Sequence, residues 1–449
     1  MTSIVWFRRD LRLGDHPALA EAAAGGAPVA ALFVPDPRLR RPSGAPRLAF
    51  LSRCLQSLHQ STGGHLVVRE GDPAAVVAAL AAEIGAREVY VSADFGPYGR
   101  GRDEAVERAL ALAGRCLVRV GSPYAVDPGT VRKSDGRPFQ VFTPYYRAWK
   151  DHGWSDPVPP PPSIAWVDGL NSDGIPTEPP VGARLPPAGE PAAVARLDAF
   201  MASAAPTYDN RRDEPAADAT SRLSPYLKYG CLHPRQLLHR LDRSKAHEKL
   251  RSELAWRDFY ADVLWHRPDS ARHALQPAMA AIRVDSGGPA DEAFAAWAAG
   301  RTGYPLVDAG IRHLLAEAWV PNRVRMVAAS FLVKDLHVDW TRGARWFLRH
   351  LVDGDLASNN HGWQWVAGTG TDPSPYFRVF NPTSQAKEHD PDGRYIRQWV
   401  PELAGLTAPQ VFEPWKAPGG PPPGYPAPIV DHGEERAEAL ARYAEVRRR

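Results

Sequence analysis

The sequence predicts an α/β domain with a five-stranded parallel sheet, similar to a Rossmann fold, followed by a large all-α domain. Three observations support this fold class. Residues 1–125 alternate short apolar runs with helical patterns, residues 126–196 are rich in Pro, Gly and Asp, and helical periodicity dominates residues 197–449. Because 449 residues exceed what one hydrophobic core supports, we expect two or three domains, with the Pro-rich stretch as a linker.

The first 125 residues contain five candidate strands separated by amphipathic stretches, the order that produces parallel pairing. The predicted strands are 3–7, 29–34, 65–69, 88–92 and 117–120, and clear helical patterns cover 45–61 and 74–84. The first strand is followed by RRDLRLGDHP rather than by G-x-G-x-x-G. A standard dinucleotide-binding fingerprint is therefore absent.

The linker contains PVPPPP at 157–162, and we expect it to lie on the surface rather than to form a domain. From residue 197 onward few alternating β-branched patterns occur, which favours helices. A loop-rich tail follows Pro414, and the last fifteen or so residues read as a short helix ending in Arg447, Arg448 and Arg449.

Composition excludes several classes of protein. At 44% hydrophobic and 23% charged residues, the chain is typical of globular rather than disordered proteins. Its net charge of +3 gives only a faint indication of an anionic partner. The three cysteines are far apart, so neither a disulfide framework nor a metal site is predicted. No signal peptide and no membrane-spanning run are apparent, and we expect a cytoplasmic protein.

The segment TSRLSPYLKYG at 220–230 has the pattern of a helix start. Ser224 can cap the helix, and Pro225 suits its first position. Free backbone N–H groups there, with the hydroxyls of Thr220 and Ser221, would suit a diphosphate. An ordinary helix cap is the alternative interpretation.

The segment ELAWRDFY at 253–260 places Glu253, Trp256, Arg257 and Tyr260 at i, i+3, i+4 and i+7, on one helical face. A face buried in a core would be aliphatic, so this face is either a binding surface or an amphipathic surface with a Glu253–Arg257 ion pair. Residues 320–340 show a similar mixture, with Asn322, Arg325 and Met326 on one face and an apolar helix that runs to Trp340.

The segment DGDLASNNHGWQW at 353–365 follows neither the helical nor the strand period, and reads as a surface loop or as the wall of a polar pocket. With it, a series of motifs runs along the chain: WFRRDLRLGDHPAL, TSRLSPYL, ELAWRDFY, GYPLVDAGIR, NRVRM, SFLVKDL and GTGTDPSPYFRVFNP. Together they resemble the DNA photolyase and cryptochrome family over nearly the whole chain. The resemblance is greatest to class I photolyases, which act on cyclobutane pyrimidine dimers.

The resemblance implies an α/β antenna domain at 1–125, a linker at 126–196 and a helical FAD-binding catalytic domain at 197–449. It implies FAD contacts at Tyr208, Thr220, Ser221, Arg222, Leu223, Ser224, Arg257, Asn322, Arg325, Asp353, Asp355 and Asn359. In this interpretation Asp355 accepts hydrogen bonds from the flavin edge, Asp353 pairs with Arg325, and Asn359 faces the reactive flavin nitrogen. The chain has Leu250 where many family members have a tryptophan packed near the flavin.

The resemblance also implies a DNA lesion site and a mechanism. An excited reduced flavin would pass one electron to the flipped dimer and recover it after the dimer splits, with Glu253 stabilising the dimer radical anion and no metal involved. Residues implied around the dimer are Glu253, Trp256, Tyr260, Asn322, Arg323, Met326 and Trp365, and those near DNA are Arg212, Arg378 and Gln385.

Two members of the family's tryptophan chain for flavin photoreduction are present, Trp363 beside the flavin and Trp340 next to it. The third is absent, because no aromatic residue lies near Gly287. We therefore expect photoreduction to be slow, or to end on another Tyr or Trp.

An antenna chromophore is implied by Asp36, Arg47, Asp103 and Lys228, together with DFGPYGRGRD. This combination resembles the photolyases that bind 8-hydroxy-5-deazaflavin, whose acidic ring suits a charged rim with a Lys and an Arg. Methenyltetrahydrofolate is the alternative, although the Asn-Glu pair of that type is absent around 98–103.

The main alternative function is that of a cryptochrome, a light sensor without repair activity. Asn359, the Trp256 and Trp365 pair, and the lack of a long tail favour repair instead. A (6-4) photolyase would have paired histidines around 322–326, the DASH type usually differs at Trp365, and a light-independent flavin oxidoreductase would carry a nicotinamide fingerprint. We expect a monomer that acts on UV-damaged DNA without an obligate protein partner.

Overall fold

The N-terminal part is a parallel β-sheet covered by helices on both faces. The computed structural model describes residues 2–371 and 378–447. Its sheet has the order β3-β2-β1-β4-β5, with every pair parallel. The strands are β1 (Ser3–Phe7), β2 (Val29–Phe33), β3 (Leu66–Val68), β4 (Glu88–Val91) and β5 (Cys116–Arg119). All five predicted strands are confirmed, and their ends differ from the prediction by no more than one residue.

The sequence of β1 and β2 explains their place at the centre of the sheet. All five residues of each strand are buried, as expected for parallel strands that are covered on both faces. The covering helices are α1 (Pro17–Ala22), α2 (Pro37–Arg40), α3 (Ala45–Ser61), α4 (Pro73–Glu83) and α5 (Pro97–Ala111). Asp72 caps α4 by accepting hydrogen bonds from the N–H groups of Ala74 and Ala75, and α3 has the predicted bounds.

The remainder of the chain is helical, and its described residues from 197 onward form no β-strand, which confirms the predicted class. The helices are α6 (Phe142–His152), α7 (Glu190–Ser203), α8 (Tyr208–Arg211), α9 (Ser224–Tyr229), α10 (Pro234–Leu238), α11 (Lys245–His266), α12 (Gly288–Ala298), α13 (Pro305–Glu317), α14 (Asn322–Ser330), α15 (Trp340–His350), α16 (Leu356–Ala367), α17 (Pro382–His389), α18 (Arg394–Trp399), α19 (Ala408–Phe412) and α20 (His432–Arg447). The predicted final helix is α20, while Arg448 and Arg449 lie outside the described residues.

The stretch 126–196 does not only lie on the surface, as the sequence suggested. It contains α6, which buries Phe142, Tyr145 and Trp149 and packs against α11. Aromatic residues at i, i+3 and i+7 form a stripe along one side of a helix, and burial of this stripe stabilises α6.

The segment 353–365 is mostly helix α16 rather than a loop. Asp355 caps it by accepting a hydrogen bond from the N–H of Ser358 at 3.2 Å. The helix packs against α11, α14 and α15. Contacts on several sides explain why it lacks one apolar stripe.

Two apolar cores support the helical half. One runs from Phe7 and Phe50, beside the sheet, through Tyr226 of α9 to Phe259 of α11. The other lies among α13 to α16 and α18 and includes Trp363. None of the described helices combines the length and the hydropathy needed to span a bilayer.

Candidate functional site

Asp353 joins three elements at the base of the candidate site. Its Oδ2 accepts hydrogen bonds from the hydroxyl of Ser224 at 2.6 Å and from the guanidinium of Arg325 at 2.8 Å, and a second Arg325 nitrogen lies 3.3 Å from Oδ1. The predicted Asp353–Arg325 pair is therefore present. Such bidentate, charge-assisted bonding fixes the spacing of α9, α14 and the start of α16.

Ser224 does not cap α9, contrary to the sequence prediction. The cap position is Leu223, whose side chain makes no capping hydrogen bond, and Ser224 is the first helical residue. Its single hydroxyl proton is directed to Asp353, and its oxygen accepts a hydrogen bond from Trp319 Nε1 at 3.2 Å. The first-turn N–H groups of α9 still lack intrahelical partners, as at any helix start.

The segment that enters α9 is held in an unusual conformation. Arg222 has a φ of +50°, in the left-handed region that non-glycine residues rarely adopt. Its guanidinium lies 3.2 Å from Glu317 and 4.6 Å from the ring of Trp319. Arg196 donates hydrogen bonds to the carbonyls of Thr220 and Ser221, each at 2.8 Å, so the segment is fixed from both sides. Strain of this kind is common where a backbone must present groups to a ligand.

The carboxylate of Asp355 forms ion pairs with two cations, one of which belongs to the N-terminal α/β domain. Arg9 lies 2.8 Å and Lys228 3.5 Å from its Oδ2. Burial alone would raise the pKa of this carboxyl, but the charges of Lys228, Arg9 and Arg257 hold it well below its usual value. The pKa of Lys228 is lowered to about 8 by burial and by the charge of Arg9, against the opposing effect of Asp355.

Arg9 was not predicted as a site residue. It is the second residue after β1, at the carboxyl end of a doubly wound sheet, next to the point where β2 and β4 diverge on either side of β1. Ligands of such sheets bind at this point. The pair of arginines after the first strand was thus a usable signal.

Asn359 lies one turn after Asp355 in α16. Its Nδ2 donates hydrogen bonds to the carbonyl of Ala344 at 3.1 Å and to Asn360 Oδ1 at 2.9 Å. Asn360 and His361 are buried, and the two nitrogens of His361 each lie 2.8 Å from an oxygen, of Ala357 and of Ser270. Their burial and these contacts are typical of residues that hold a helix in place.

The predicted face of α11 exists, but its charged members do not pair with each other. Glu253 forms an ion pair with Arg212, while Arg257 donates hydrogen bonds to the carbonyls of Pro123 at 2.8 Å and Leu227 at 3.2 Å. The alternative of a Glu253–Arg257 surface pair is therefore wrong. Since these partners lie on other elements, α11 is fixed at the site by its polar face.

Tyr208, Arg212 and Glu253 are brought together. The guanidinium carbon of Arg212 lies 5.9 Å from the centre of the Tyr208 ring, and burial with the nearby Glu253 charge raises the pKa of Tyr208. Leu250, one turn before Glu253, is buried in the apolar core that also contains Tyr208.

Two aromatic side chains, Trp256 and Trp365, are partly exposed and rest on different cores. Trp256 and Tyr260, 5.3 Å apart between ring centres, pack on the core that reaches the sheet. Trp365 and Met326 pack on the core around Trp363. Exposed aromatic surface next to the Glu253 carboxylate is suited to stacking against an apolar, flat ligand.

The remaining predicted contact residues have partners of their own. Met326 Sδ lies 3.6 Å from Nδ2 of Asn322, and Arg323 forms an ion pair with Asp213 at 2.9 Å. Gln385 donates a hydrogen bond to Glu388 at 3.1 Å, and the side chain of Arg378 is exposed. Part of GTGTDPSPYFRVFNP, residues 372–377, lies outside the described residues.

Comparison with known proteins decides the family. A family model described as the FAD binding domain of DNA photolyase matches residues 250–445, and one described as DNA photolyase matches residues 3–163. A deoxyribodipyrimidine photo-lyase of Streptomyces griseus is 42% identical over 97% of this chain and 97% of its own length. The chain belongs to the DNA photolyase family.

Solved structures agree with this family assignment. A bacterial class III photolyase from Agrobacterium tumefaciens is 35% identical, with a TM-score of 0.93, over 100% of this chain and 98% of that chain. A cryptochrome of Synechocystis sp. PCC6803 is 27% identical, with a TM-score of 0.88, over 98% of both chains. Because the fold is common to repair enzymes and a cryptochrome, function depends on the site.

The groups around α9 and α16 fit the FAD that this photolyase-family domain binds. The first-turn amides of α9, with the Thr220 and Ser221 hydroxyls, are donors suited to phosphates. Asp355 and Asn359 offer acceptors and an amide to a flavin edge, which carries both donors and acceptors. Arg325 and Asp353 form an ion pair, so together they add no net charge to the site for the flavin ring.

Trp363, the tryptophan next to the flavin in the family pattern, is buried in an aromatic cluster. Its ring lies edge-on to Phe347 at 5.0 Å and to Trp297 at 6.1 Å, and Trp297 lies 5.1 Å from the partly exposed Trp346. Trp340 begins α15 and belongs to the same core. Trp297 and Trp346 were not predicted from the sequence.

The four predicted antenna residues fall into two groups. Asp36 and Asp103 are buried, the first bonded to Tyr98 and the second to Arg8 and Arg102. They therefore do not form an open charged rim. Arg47 and Lys228 lie instead near Asp355, and Arg47 Nε is buried with no hydrogen-bond partner among the described residues.

Proposed function

We propose that this protein repairs cyclobutane pyrimidine dimers in DNA in a light-dependent reaction, as a deoxyribodipyrimidine photo-lyase. The observation that carries this function is the partly exposed aromatic and apolar surface next to Glu253. It adjoins a set of groups suited to FAD, in a chain 42% identical to a deoxyribodipyrimidine photo-lyase over nearly its full length. When bound and reduced, FAD supplies the electron that light drives to the dimer and that returns after splitting.

The aromatic surface binds the lesion. Flipping a damaged base pair out of the duplex costs a few kcal/mol, and stacking on an aromatic side chain returns about 1–3 kcal/mol per base. Trp256 and Trp365 can therefore offset most of that cost. Arg212, Arg323 and Arg378 add contacts to phosphates, which are independent of sequence and weaken with salt.

Glu253 orients the bases and stabilises the charge that develops on them. A carboxyl group at this position can hydrogen-bond the polar edge of a pyrimidine, and Arg212 holds it in one orientation. Removal of the carboxyl should reduce the efficiency of splitting more than lesion binding, because the transition state carries the additional charge.

A light-dependent repair assay tests this function. The reduced protein is incubated with a duplex that contains one cyclobutane dimer, in darkness and under blue or near-ultraviolet light. We expect light-dependent restoration of the two pyrimidines, with lower efficiency in Glu253→Gln and normal dark binding. Dark binding without any light-dependent repair would favour the cryptochrome function instead.

We further propose the class I type of dimer photolyase, with 8-hydroxy-5-deazaflavin as the antenna. Support comes from the cationic groups Arg9, Arg47 and Lys228 between the sheet edge and Asp355, which suit an acidic ring. Methenyltetrahydrofolate remains the alternative. An absorption spectrum of the protein purified from its native cells distinguishes the two chromophores. A folate band without a deazaflavin band would exclude 8-hydroxy-5-deazaflavin as the antenna.

A tryptophan route for photoreduction is proposed through Trp346, Trp297 and Trp363. The consecutive ring centres lie 5.1 and 6.1 Å apart and lead from partly exposed Trp346 to the buried core. We expect Trp297→Phe to slow the light-driven loss of the oxidised-flavin absorption band in the presence of a thiol reductant. The control is Trp399→Phe, because the Trp399 indole stacks on His313, with 4.1 Å between ring centres, and is not part of the proposed route. An unchanged rate in Trp297→Phe together with a slow rate in Trp340→Phe would assign the route to Trp340.

The roles of the individual site residues, the division at 125 and 196, the monomeric state and the cytoplasmic location are likewise proposals. The residue roles are supported by the family assignment and by the contacts described above. Light scattering of the purified protein, alone and with a dimer-containing duplex, would test the stoichiometry.

A further inference from the structure

Phe142, the first residue of α6, covers one face of Trp256. The two rings lie 3.7 Å apart between centres and are nearly parallel, at 9°. Phe142 is itself buried, whereas Trp256 is partly exposed. The exposed part of the indole is therefore its other face and its edge.

This contact belongs to a series of rings that connects three helices. Tyr146 of α6 stacks on Phe142 at 5.6 Å and 10°. Beyond Trp256, Tyr260 of α11 lies 5.3 Å away, and Tyr260 stacks on His361 of α16 at 5.5 Å and 22°. The series runs from the linker to the helix that carries Asp355 at its start.

Helix α6 is anchored independently of these ring contacts. Trp149 Nε1 donates a hydrogen bond to the buried carboxylate of Asp258 at 3.1 Å, and the Tyr146 hydroxyl donates one to Glu248 at 2.8 Å. Both acceptors belong to α11. Phe142 is thus held by its own backbone rather than by Trp256.

We propose that Phe142 is a positioning residue for lesion binding. It fixes the plane of the Trp256 indole, so that a flipped pyrimidine dimer meets a wall that is already ordered. This inference rests on the proposed repair function and extends it to a residue of the linker. A side chain ordered before binding loses less freedom when the ligand arrives, which strengthens binding without a new ligand contact.

The inference predicts a selective effect on affinity. Phosphate contacts supply binding to any duplex, whereas the indole contributes only when a base is flipped against it. Phe142→Leu keeps an apolar side chain but removes the stacking face. We expect it to raise the Kd for a dimer-containing duplex by about 3- to 10-fold, the usual range for one side chain that must be immobilised.

The experiment measures dark binding of the FAD-loaded protein to two duplexes, identical except for one cyclobutane dimer. Phe142→Leu should weaken binding of the damaged duplex and change binding of the undamaged duplex less than 2-fold. Phe142→Tyr, which keeps the ring, should restore the preference. Phe139→Leu is the matched control, because that linker ring contacts Tyr145 at 6.1 Å rather than Trp256.

A second measurement needs no DNA. In protein labelled with 5-fluorotryptophan, the Trp256 resonance, identified by its loss in Trp256→Phe, should shift and broaden in Phe142→Leu but not in Phe139→Leu. An unchanged resonance, an unchanged Kd, or equal weakening for both duplexes would overturn the inference. A wild-type protein without preference for the damaged duplex would refute the repair function, and the fluorine spectrum would still decide whether Phe142 positions Trp256.

Discussion

At the scale of single residues, Gly343 shows how tightly Trp363 is held. A Cβ atom at this position of α15 would lie 2.2 Å from Cη2 of Trp363 and 2.6 Å from a methyl carbon of Leu332. Helix propensity favours alanine over glycine by about 1 kcal/mol, but overpacking of a dense core costs about 1–3 kcal/mol. We expect Gly343→Ala to lower the free energy of unfolding by up to about 2 kcal/mol, measured by urea denaturation.

The control for this substitution is Gly101→Ala in α5, where an added Cβ meets no atom within 4 Å. It should raise the free energy of unfolding by about 0.5–1 kcal/mol, because alanine loses less backbone entropy on folding. Equal stabilisation by both substitutions would show that the indole of Trp363 does not press on α15.

Arg9 permits a second test at this scale. Replacement of Arg9 by Met leaves the Asp355 carboxylate with Lys228 as its close cation, so we expect a loss of about 1–3 kcal/mol at pH 7. Asp355 has a depressed pKa in the folded protein. Its contribution is present above the unfolded pKa of about 4 and is lost as pH falls through the lower folded value. The difference between wild type and Arg9→Met should therefore shrink in acid.

Urea denaturation between pH 3 and pH 8 measures this difference. Arg53→Met is the control, since its ion pair with Glu178 is exposed and should change stability by less than about 0.5 kcal/mol at any of these pH values. A constant difference between wild type and Arg9→Met across the pH range would contradict the assignment to Asp355.

These residues also show what the sequence could and could not predict. The shared face of Glu253, Trp256, Arg257 and Tyr260 follows from helical spacing, and the Asp353–Arg325 pair follows from the family pattern. The Arg9–Asp355 contact joins residues 346 positions apart, and nothing local in either segment indicates it. Ser224 was assigned to a helix cap because its local pattern permits that, but its hydroxyl donates a hydrogen bond to the distant residue Asp353.

At the scale of elements, short apolar runs predicted the strands well, because the central strands of a parallel sheet covered on both faces are buried along their whole length. The same reasoning did not predict α16, whose contacts with α11, α14 and α15 leave no single apolar stripe. The α6 helix was also missed, because the Pro-rich neighbours of its aromatic stripe read as a linker. The periodic pattern of apolar residues is weakest in segments that line polar pockets and in long linkers.

The contact between the linker and α11 depends on a buried carboxylate. Asp258 Oδ2 accepts hydrogen bonds from the N–H of Val126 and from Nε1 of Trp149, each at 3.1 Å. Burial raises the pKa of Asp258 to about 7, although Arg257 and these donors oppose the shift. Stability from this group is therefore full below the unfolded pKa of about 4 and is lost as pH rises to about 7.

Asp258→Asn should remove this pH dependence, because an amide oxygen can accept both hydrogen bonds without a charge. We expect the variant to be about 1–2 kcal/mol more stable than wild type at pH 8 and to lose that advantage near pH 4. Thermal unfolding at several pH values measures it. Asp269→Asn, in an exposed pair with Arg267, is the control, and a wild-type profile that is flat between pH 4 and pH 7 would contradict the prediction.

At the scale of the whole molecule, the two domains are joined by a shared interior. One apolar core includes Phe7 and Phe50 beside the sheet, Tyr226 of α9 and Phe259 of α11. The Arg9–Asp355 ion pair crosses the same boundary. A large hydrophobic contact of this kind opposes relative motion of domains, and we expect the two domains to unfold together.

A cut in the linker tests this directly. Pro162 and Ser163 are exposed, so a protease site inserted between them can be cleaved in the folded protein. Because the shared core and the ion pair do not depend on chain continuity, we expect the fragments 1–162 and 163–449 to elute together in gel filtration. They should separate only in denaturant, with one unfolding transition seen both by tryptophan fluorescence and by release of FAD. Separate elution under native conditions, or two transitions, would show that the linker rather than the core holds the domains together.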